Sequence, residues 1–221
     1  MIFAKQIILL TLLFFSFGTL AQTDSPAGTV HLLKGRATAT SAGGDIRNIK
    51  KDSKVYSSET ISTGSGSYAR LLLIDQSWII LRPDSRFYLE KVQYKAETQD
   101  GFGFFSLLKG GFRAVSGLLF HKTKYRYSTT VATIGIRGTS FMVRICNGDC
   151  YDIDPVPSDG LYLEVLDQTV VLDNLAGQST YSAGQFVYIA NDKATAQLLD
   201  SRPDVFVQSP IPVADPAECA Q

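Results

Sequence analysis

Glycine, asparagine, aspartate and serine interrupt this chain roughly every eight to twelve residues from position 30 onward, leaving stretches too short for packed helices. Residues 30–33 run into Lys34-Gly35, and residues 37–40 into Ala42-Gly43-Gly44-Asp45. Two apolar runs, 68–74 and 78–81, are separated by Asp75-Gln76-Ser77, which is a hairpin pattern. Residues 86–94 alternate, 103–108 and 111–115 flank a glycine turn, and 125–145 is the longest strand-like stretch, interrupted by Gly135 and Gly138. Residues 161–172, 179–181 and 185–190 complete the series. Helical periodicity is nearly absent, with 194–199 the best short candidate and 115–120 a weaker one. The expected fold is all-β, built of many short strands. The recurrence of strand, glycine and strand fits a β-solenoid-like stack, and a sandwich fits it nearly as well.

The first 21 residues differ from the rest. Lys5 gives a short positive start, residues 7–20 are an almost unbroken apolar run, and Thr19-Leu20-Ala21 ends it with small residues. That is the layout of a secretory signal peptide cleaved after Ala21. At about fourteen residues the run is shorter than the roughly 20 that span a bilayer as a helix, so a retained anchor is the lesser alternative. No cysteine follows the run to carry a lipid. The expected organisation is a signal peptide at 1–21, a β domain at 22–190, and an extended or partly disordered tail at 191–221. The tail holds half of the eight prolines. The expected location is periplasmic or secreted, with no stable membrane span in the mature chain. Basic and acidic residues number 21 each. Neutrality argues against bulk attraction to nucleic acid or anionic lipid.

An oxidising compartment favours a disulfide, and Cys146-Asn147-Gly148-Asp149-Cys150 is the place for one, because Asn-Gly and Gly-Asp favour a tight turn. Cys219 is left over, free or intermolecular. A metal site at Cys-x3-Cys lacks a second pair or a nearby histidine. Asp149, Asp152, Asp154 and Asp159 follow the turn, but their spacing fits no calcium-loop template. The motifs of zinc proteases, serine hydrolases, P-loops and dinucleotide-binding folds are all missing, and His31 and His121 lie in unrelated strands. The chain therefore reads as a non-enzyme without cofactor or metal.

Several segments carry a family resemblance. Gly28-Thr29-Val30 with Lys34-Gly35-Arg36-Ala37, residues 58–64, the pair 69–75 and 78–85, and Leu108-Lys109-Gly110-Gly111-Phe112-Arg113 follow one another in the order seen in the FecR domain. Residues 131–143 resemble its hallmark segment, through Ile134, Gly135, Arg137, Gly138, Thr139 and Phe141. Ala183-Gly184-Gln185 resembles its closing turn. The resemblance implies a FecR-like all-β domain of iron-transport sensor proteins. Those sensors place an anti-sigma segment and a membrane helix before the domain. Here an export signal is expected at residue 1, so the resemblance points to a free-standing exported form. The six hallmark residues are expected to be mainly structural, with Arg137 locking a turn between glycines.

Residues 120–127 interleave basic and aromatic side chains. As a strand, this segment puts Phe120, Lys122, Lys124 and Arg126 on one face and His121, Thr123, Tyr125 and Tyr127 on the other. Lys122, Lys124, Arg126, Tyr125 and Tyr127 are the candidate ligand contacts, the cations for an anionic glycan or phosphate and the tyrosines for sugars. The alternative is a solvated strand face with the aromatics packed inward. Lys50, Lys51 and Lys54 read as a solvated loop. The leading expectation is an envelope interaction module recognising a protein or polysaccharide. A sensory component relaying to a membrane partner, or a hydrolase with an unrecognised site, are the alternatives.

Overall fold

The computed structural model describes residues 25–116, 124–136, 138–151 and 153–206. The chain forms strands throughout, with no α-helix among the described residues. It starts as β1 (Pro26–Lys34) in a first sheet, crosses to a second for the hairpin β2 (Ala37–Thr40) and β3 (Ile46–Ile49), and returns for β4 (Lys54–Tyr56). β5 (Glu59–Thr63) lies in the second sheet, β6 (Tyr68–Leu73) and β7 (Trp78–Leu81) in the first, and β8 (Arg86–Lys95) and β9 (Asp100–Lys109) in the second. β10 (Gly111–Val115) is in the first sheet, and β11 (Lys124–Ser128) and β12 (Thr133–Ile136) are in the second. β13 (Ser140–Cys146) and β14 (Gly160–Asp167) return to the first, β15 (Thr169–Asn174) and β16 (Gly177–Ser182) to the second, and β17 (Phe186–Ile189) and β18 (Gln197–Leu199) to the first.

Each sheet has nine strands, ordered 4-1-6-7-10-13-14-17-18 and 3-2-5-8-9-11-12-15-16. Apart from the first pair in each, both sheets fill in chain order. The architecture thus joins the two expected forms: two packed sheets, filled progressively as solenoid rungs are. The pairs are antiparallel, with β9 and β11 the parallel exception among the described strands. Crossings between sheets are abrupt. One residue, Gly110, joins β9 to β10 at φ +79°, and a Cβ there would meet the Ser85 backbone at 2.7 Å.

Period-two burial directs the side chains. In β5, Glu59, Ile61 and Thr63 are buried while Thr60 and Ser62 are half-exposed. Between the sheets, five rings interlock. Phe112 meets Phe87 at 5.0 Å, Tyr127 at 5.2 Å and Phe141 at 5.6 Å, and Phe105 meets Tyr127 at 5.0 Å.

The two outer faces differ. On the first sheet, the outward Arg70, Ile80, Arg82, Met142, Tyr162 and Glu164 are all buried. Part of that cover comes from the chain beyond Ala190. Val205 and Phe206, in a 3₁₀ turn at Asp204–Phe206, pack with Met142, Tyr162, Ile153 and the Cys146–Cys150 pair. Arg202 clamps the segment through Glu164, with Nε at 3.0 Å from both carboxylate oxygens. The expected short helix at 194–199 is corrected: residues 197–199 are β18, hydrogen-bonded as an edge strand to β17, whose open edge outweighs weak local helix preference. The stretch expected as a tail therefore contains an edge strand and a docked turn up to Phe206. Residues 1–24 and 207–221 lie outside the described residues, as does Cys219. No helix among the described residues is long and apolar enough to cross a membrane.

Phe112 is fully buried and touches three other rings. Phe112→Ala is expected to destabilise the fold by about 3–5 kcal/mol, read as a lower urea midpoint with an unchanged slope.

Candidate binding face

The hallmark segment is built into the fold. Ile134 and Phe141 are fully buried core residues. Gly138 has φ +66°, a conformation that glycine adopts without strain. Thr139 is buried, and its Oγ1 donates to the Thr169 carbonyl at 2.8 Å while its own carbonyl accepts from Ser116 N and Oγ. Gly135 sits mid-strand opposite Arg126 on β11 and Val171 on β15. Arg137 lies outside the described residues.

Cys146 and Cys150 form the expected disulfide. Gly148 in its loop is at φ +65°. Asp149 accepts from Asn147 N at 3.0 Å, and Asp159 accepts from Gly148 N at 2.7 Å, so these two carboxylates support the loop backbone. Asp152 lies outside the described residues. Beside the loop is an open groove of about 620 Å³, lined in part by Arg86, Lys109, Asn147, Asp149, Asp159 and Asp192. Lys109 and Asp149 already face each other across it at 3.7 Å.

Of the candidate contacts on β11, Lys124 and Arg126 are exposed and Lys122 lies outside the described residues, as do Phe120, His121 and Thr123. Tyr125 and Tyr127, expected beside them as ligand contacts, face the core instead of the surface. Both are buried, stacked against Phe105 at 6.4 and 5.0 Å, because the strand turns that side toward the core. Surface aromatics beside the cations come instead from β9. Phe102 and Phe104 stack on each other at 5.0 Å on the outer face of the second sheet. Arg126 lies over the Phe104 ring at 4.4 Å, Lys91 lies over Phe102 at 5.5 Å, and Lys124 is in register with Phe102. Glu90 pairs with Arg126 at 3.4 Å across side chains that are 38% and 49% exposed, a weak and screened contact. The next row over carries Tyr88, Ser106, Ser128 and Thr133 in register, all half-exposed. The signal for the face lay in Phe104-Phe105: adjacent strand residues point opposite ways, so one ring of the two must face out.

One acid is buried at the β6–β7 turn. Asp75 is 2% exposed and accepts from Ser77 Oγ at 2.6 Å and Ser77 N at 3.1 Å, while the Tyr125 hydroxyl contacts Ser77 Oγ at 3.3 Å. Burial pushes the Asp75 carboxyl above its ordinary value, against the opposing effect of the Ser77 hydrogen bonds. Burial, then the Asp75 charge, likewise holds the Tyr127 hydroxyl well above its usual range.

Residues 59–151 match the FecR protein family. Over that segment, somewhat less than half of its length, the chain is similar to FecR proteins. The matched segment runs from β5 through the disulfide loop and contains Phe102, Phe104, Arg126 and Gly135. A crystal structure from Parabacteroides distasonis ATCC 8503 at 1.65 Å, provisionally described as an anti-sigma factor, has a similar fold with a TM-score of 0.51 and 13% identity. A second, at 2.50 Å and of the same description, gives 0.49 and 14%. Each alignment covers 66% of this chain and 61% of the other, so this chain spans about three fifths of that protein's length. No curated protein matches the sequence significantly.

A carboxyl whose pKa is raised by folding holds its proton more tightly in the folded chain. Its contribution to stability is full below the unfolded value near 3.8 and is lost as pH rises through the folded value. Asp75→Asn keeps an oxygen acceptor for Ser77 and removes the buried charge. Urea titrations are expected to show the variant as more stable than wild type at neutral pH, with the difference vanishing below about pH 4.

Proposed function

We propose that this chain is an exported, non-enzymatic interaction module of the bacterial envelope that recognises a polysaccharide or protein through the outer face of its second sheet. The observation that carries this reading is the outer-face cluster of the half-exposed Phe102 and Phe104 with the exposed Lys91, Lys124 and Arg126. Aromatic side chains beside cations on an open sheet offer stacking and charge with little side-chain ordering on contact. Export rests on the apolar N-terminal run and agrees with a disulfide at Cys146–Cys150.

A second reading is regulatory: the chain relays a signal to a membrane protein. The FecR match supports it, as does the fold shared with the Parabacteroides distasonis structure. The partner's class separates the two readings, since an inner-membrane protein favours relay and a polymer favours attachment.

The test is to express the tagged full-length chain in bacterial cells, cross-link, and identify what co-purifies from the envelope. Wild type is expected to retain a specific polymer or protein there, and Phe104→Ala is expected to weaken that capture about tenfold at unchanged melting temperature. Equal capture by the two would remove the second sheet as the binding surface. Edman sequencing of the purified chain is expected to begin at Gln22.

A further inference from the structure

Glycine inside a β-strand lowers stability against a residue with a side chain, so each one asks for a reason. Most of the sheet glycines here have an internal one. A Cβ at Gly28 would meet the Leu72 carbonyl oxygen at 2.5 Å, one at Gly101 the Gln93 carbonyl oxygen at 2.4 Å, and one at Gly103 the Phe105 ring at 2.6 Å. Gly111 and Gly160 are blocked at 2.5 Å by the carbonyl oxygens of Val143 and Ile189. Gly135 is different. Its φ is not positive, and among the described residues a Cβ would meet one atom within 4 Å, the Val171 carbonyl oxygen at 3.8 Å, an ordinary contact. Among the described residues, neither the backbone nor the packing requires a glycine at this position.

The missing side chain leaves an opening on the outer face. One row across the second sheet reads Lys91, Phe104, Arg126, Gly135, Val171 and Thr180, each in register with the next. With strands about 4.8 Å apart, Arg126 and Val171 stand about 10 Å from each other with bare backbone between them. Arg126 lies back over Phe104 at 4.4 Å, which leaves that floor open. The charges are asymmetric. Lys91, Lys124 and Arg126 gather on the Phe104 side with Glu90 as their acid, while Asp173 lies one row over on the far side. The hydroxyls of Tyr88, Ser106, Ser128 and Thr133 border the same strip.

We infer that Gly135 is the floor of a shallow site for an acidic polysaccharide, whose carboxylates meet Arg126, Lys124 and Lys91 and whose sugar rings and hydroxyls meet Phe104 and the hydroxyl row. This rests on the proposed role as an envelope interaction module and names its partner class. Charge complementarity selects an acidic ligand over a neutral one. The hydroxyl row and the ring beside the floor favour a sugar chain over an acidic peptide. The exposed Arg126–Glu90 contact is weak enough for a ligand carboxylate to replace Glu90.

The experiment measures binding of the full-length chain to polygalacturonate, dextran and poly-glutamate, together with its melting temperature. Gly135→Thr is the informative variant, because threonine suits a strand and has room here. Expected are an unchanged or raised melting temperature and binding to polygalacturonate weakened about tenfold or more, with Arg126→Gln also weakening it and flattening its salt dependence. A melting temperature lowered by Gly135→Thr would give the glycine an internal role and overturn the inference, as would polygalacturonate binding that the substitution leaves unchanged. Poly-glutamate or dextran bound as tightly as polygalacturonate would overturn the acidic-glycan class. A wild-type chain that captures an envelope partner but no polygalacturonate overturns this inference and leaves the proposed function standing, whereas one that captures neither removes both.

Discussion

The interlocked rings of Phe87, Phe105, Phe112, Tyr127 and Phe141 are the constraint on which the rest of the fold depends. They come from five strands of both sheets, so no single hairpin can bury them. Packed together, they set the separation of the sheets and join strands far apart in sequence. They also set parity. Once Phe105 and Tyr127 point inward, Phe104 and Arg126 must point outward, and the parallel register of β9 and β11 places them side by side. The candidate face is therefore a geometric consequence of the core.

This dependence explains what the sequence could and could not reveal. Turn residues and alternation make the all-β class legible, and Asn147-Gly148 between two cysteines makes the disulfide legible, because both are local signals. Alternation in residues 124–127 shows that the cations and tyrosines part company, but not which group faces water. That choice is made by Phe105, some twenty residues earlier on a strand whose parallel pairing has no local signature. Tyr125 and Tyr127 accordingly go to the core, and the surface aromatics come from Phe102 and Phe104.

The C-terminal part was illegible for a related reason. Residues 197–199 are too few to announce a strand, and their pairing is supplied by the open edge of β17. Val205 and Phe206 bury themselves on the outer side of β13 and β14, where Met142 and Tyr162 offer an apolar seat and Glu164 receives Arg202. Nothing within 191–206 encodes that seat. Asp75 is similar: the sequence marks only a turn there, and the three-dimensional arrangement buries it, with the Tyr125 hydroxyl reaching its hydrogen-bond partner Ser77.

The contrast between the two outer faces bears most directly on function. Several outward side chains of the first sheet are buried, among them the charged or aromatic Arg70, Arg82, Tyr162 and Glu164, while others such as Trp78, Arg113 and Arg144 are half-exposed. The outward side chains at the centre of the second, from Tyr88 through Phe104 and Arg126 to Val171, all keep contact with solvent. An open, nearly flat face is suited to a long ligand held by many modest contacts, each strand adding one more in the same row. A sheet filled progressively along the chain supplies such rows, and Gly135 lowers the floor at the place where the rows of charge, aromatic ring and hydroxyl come together.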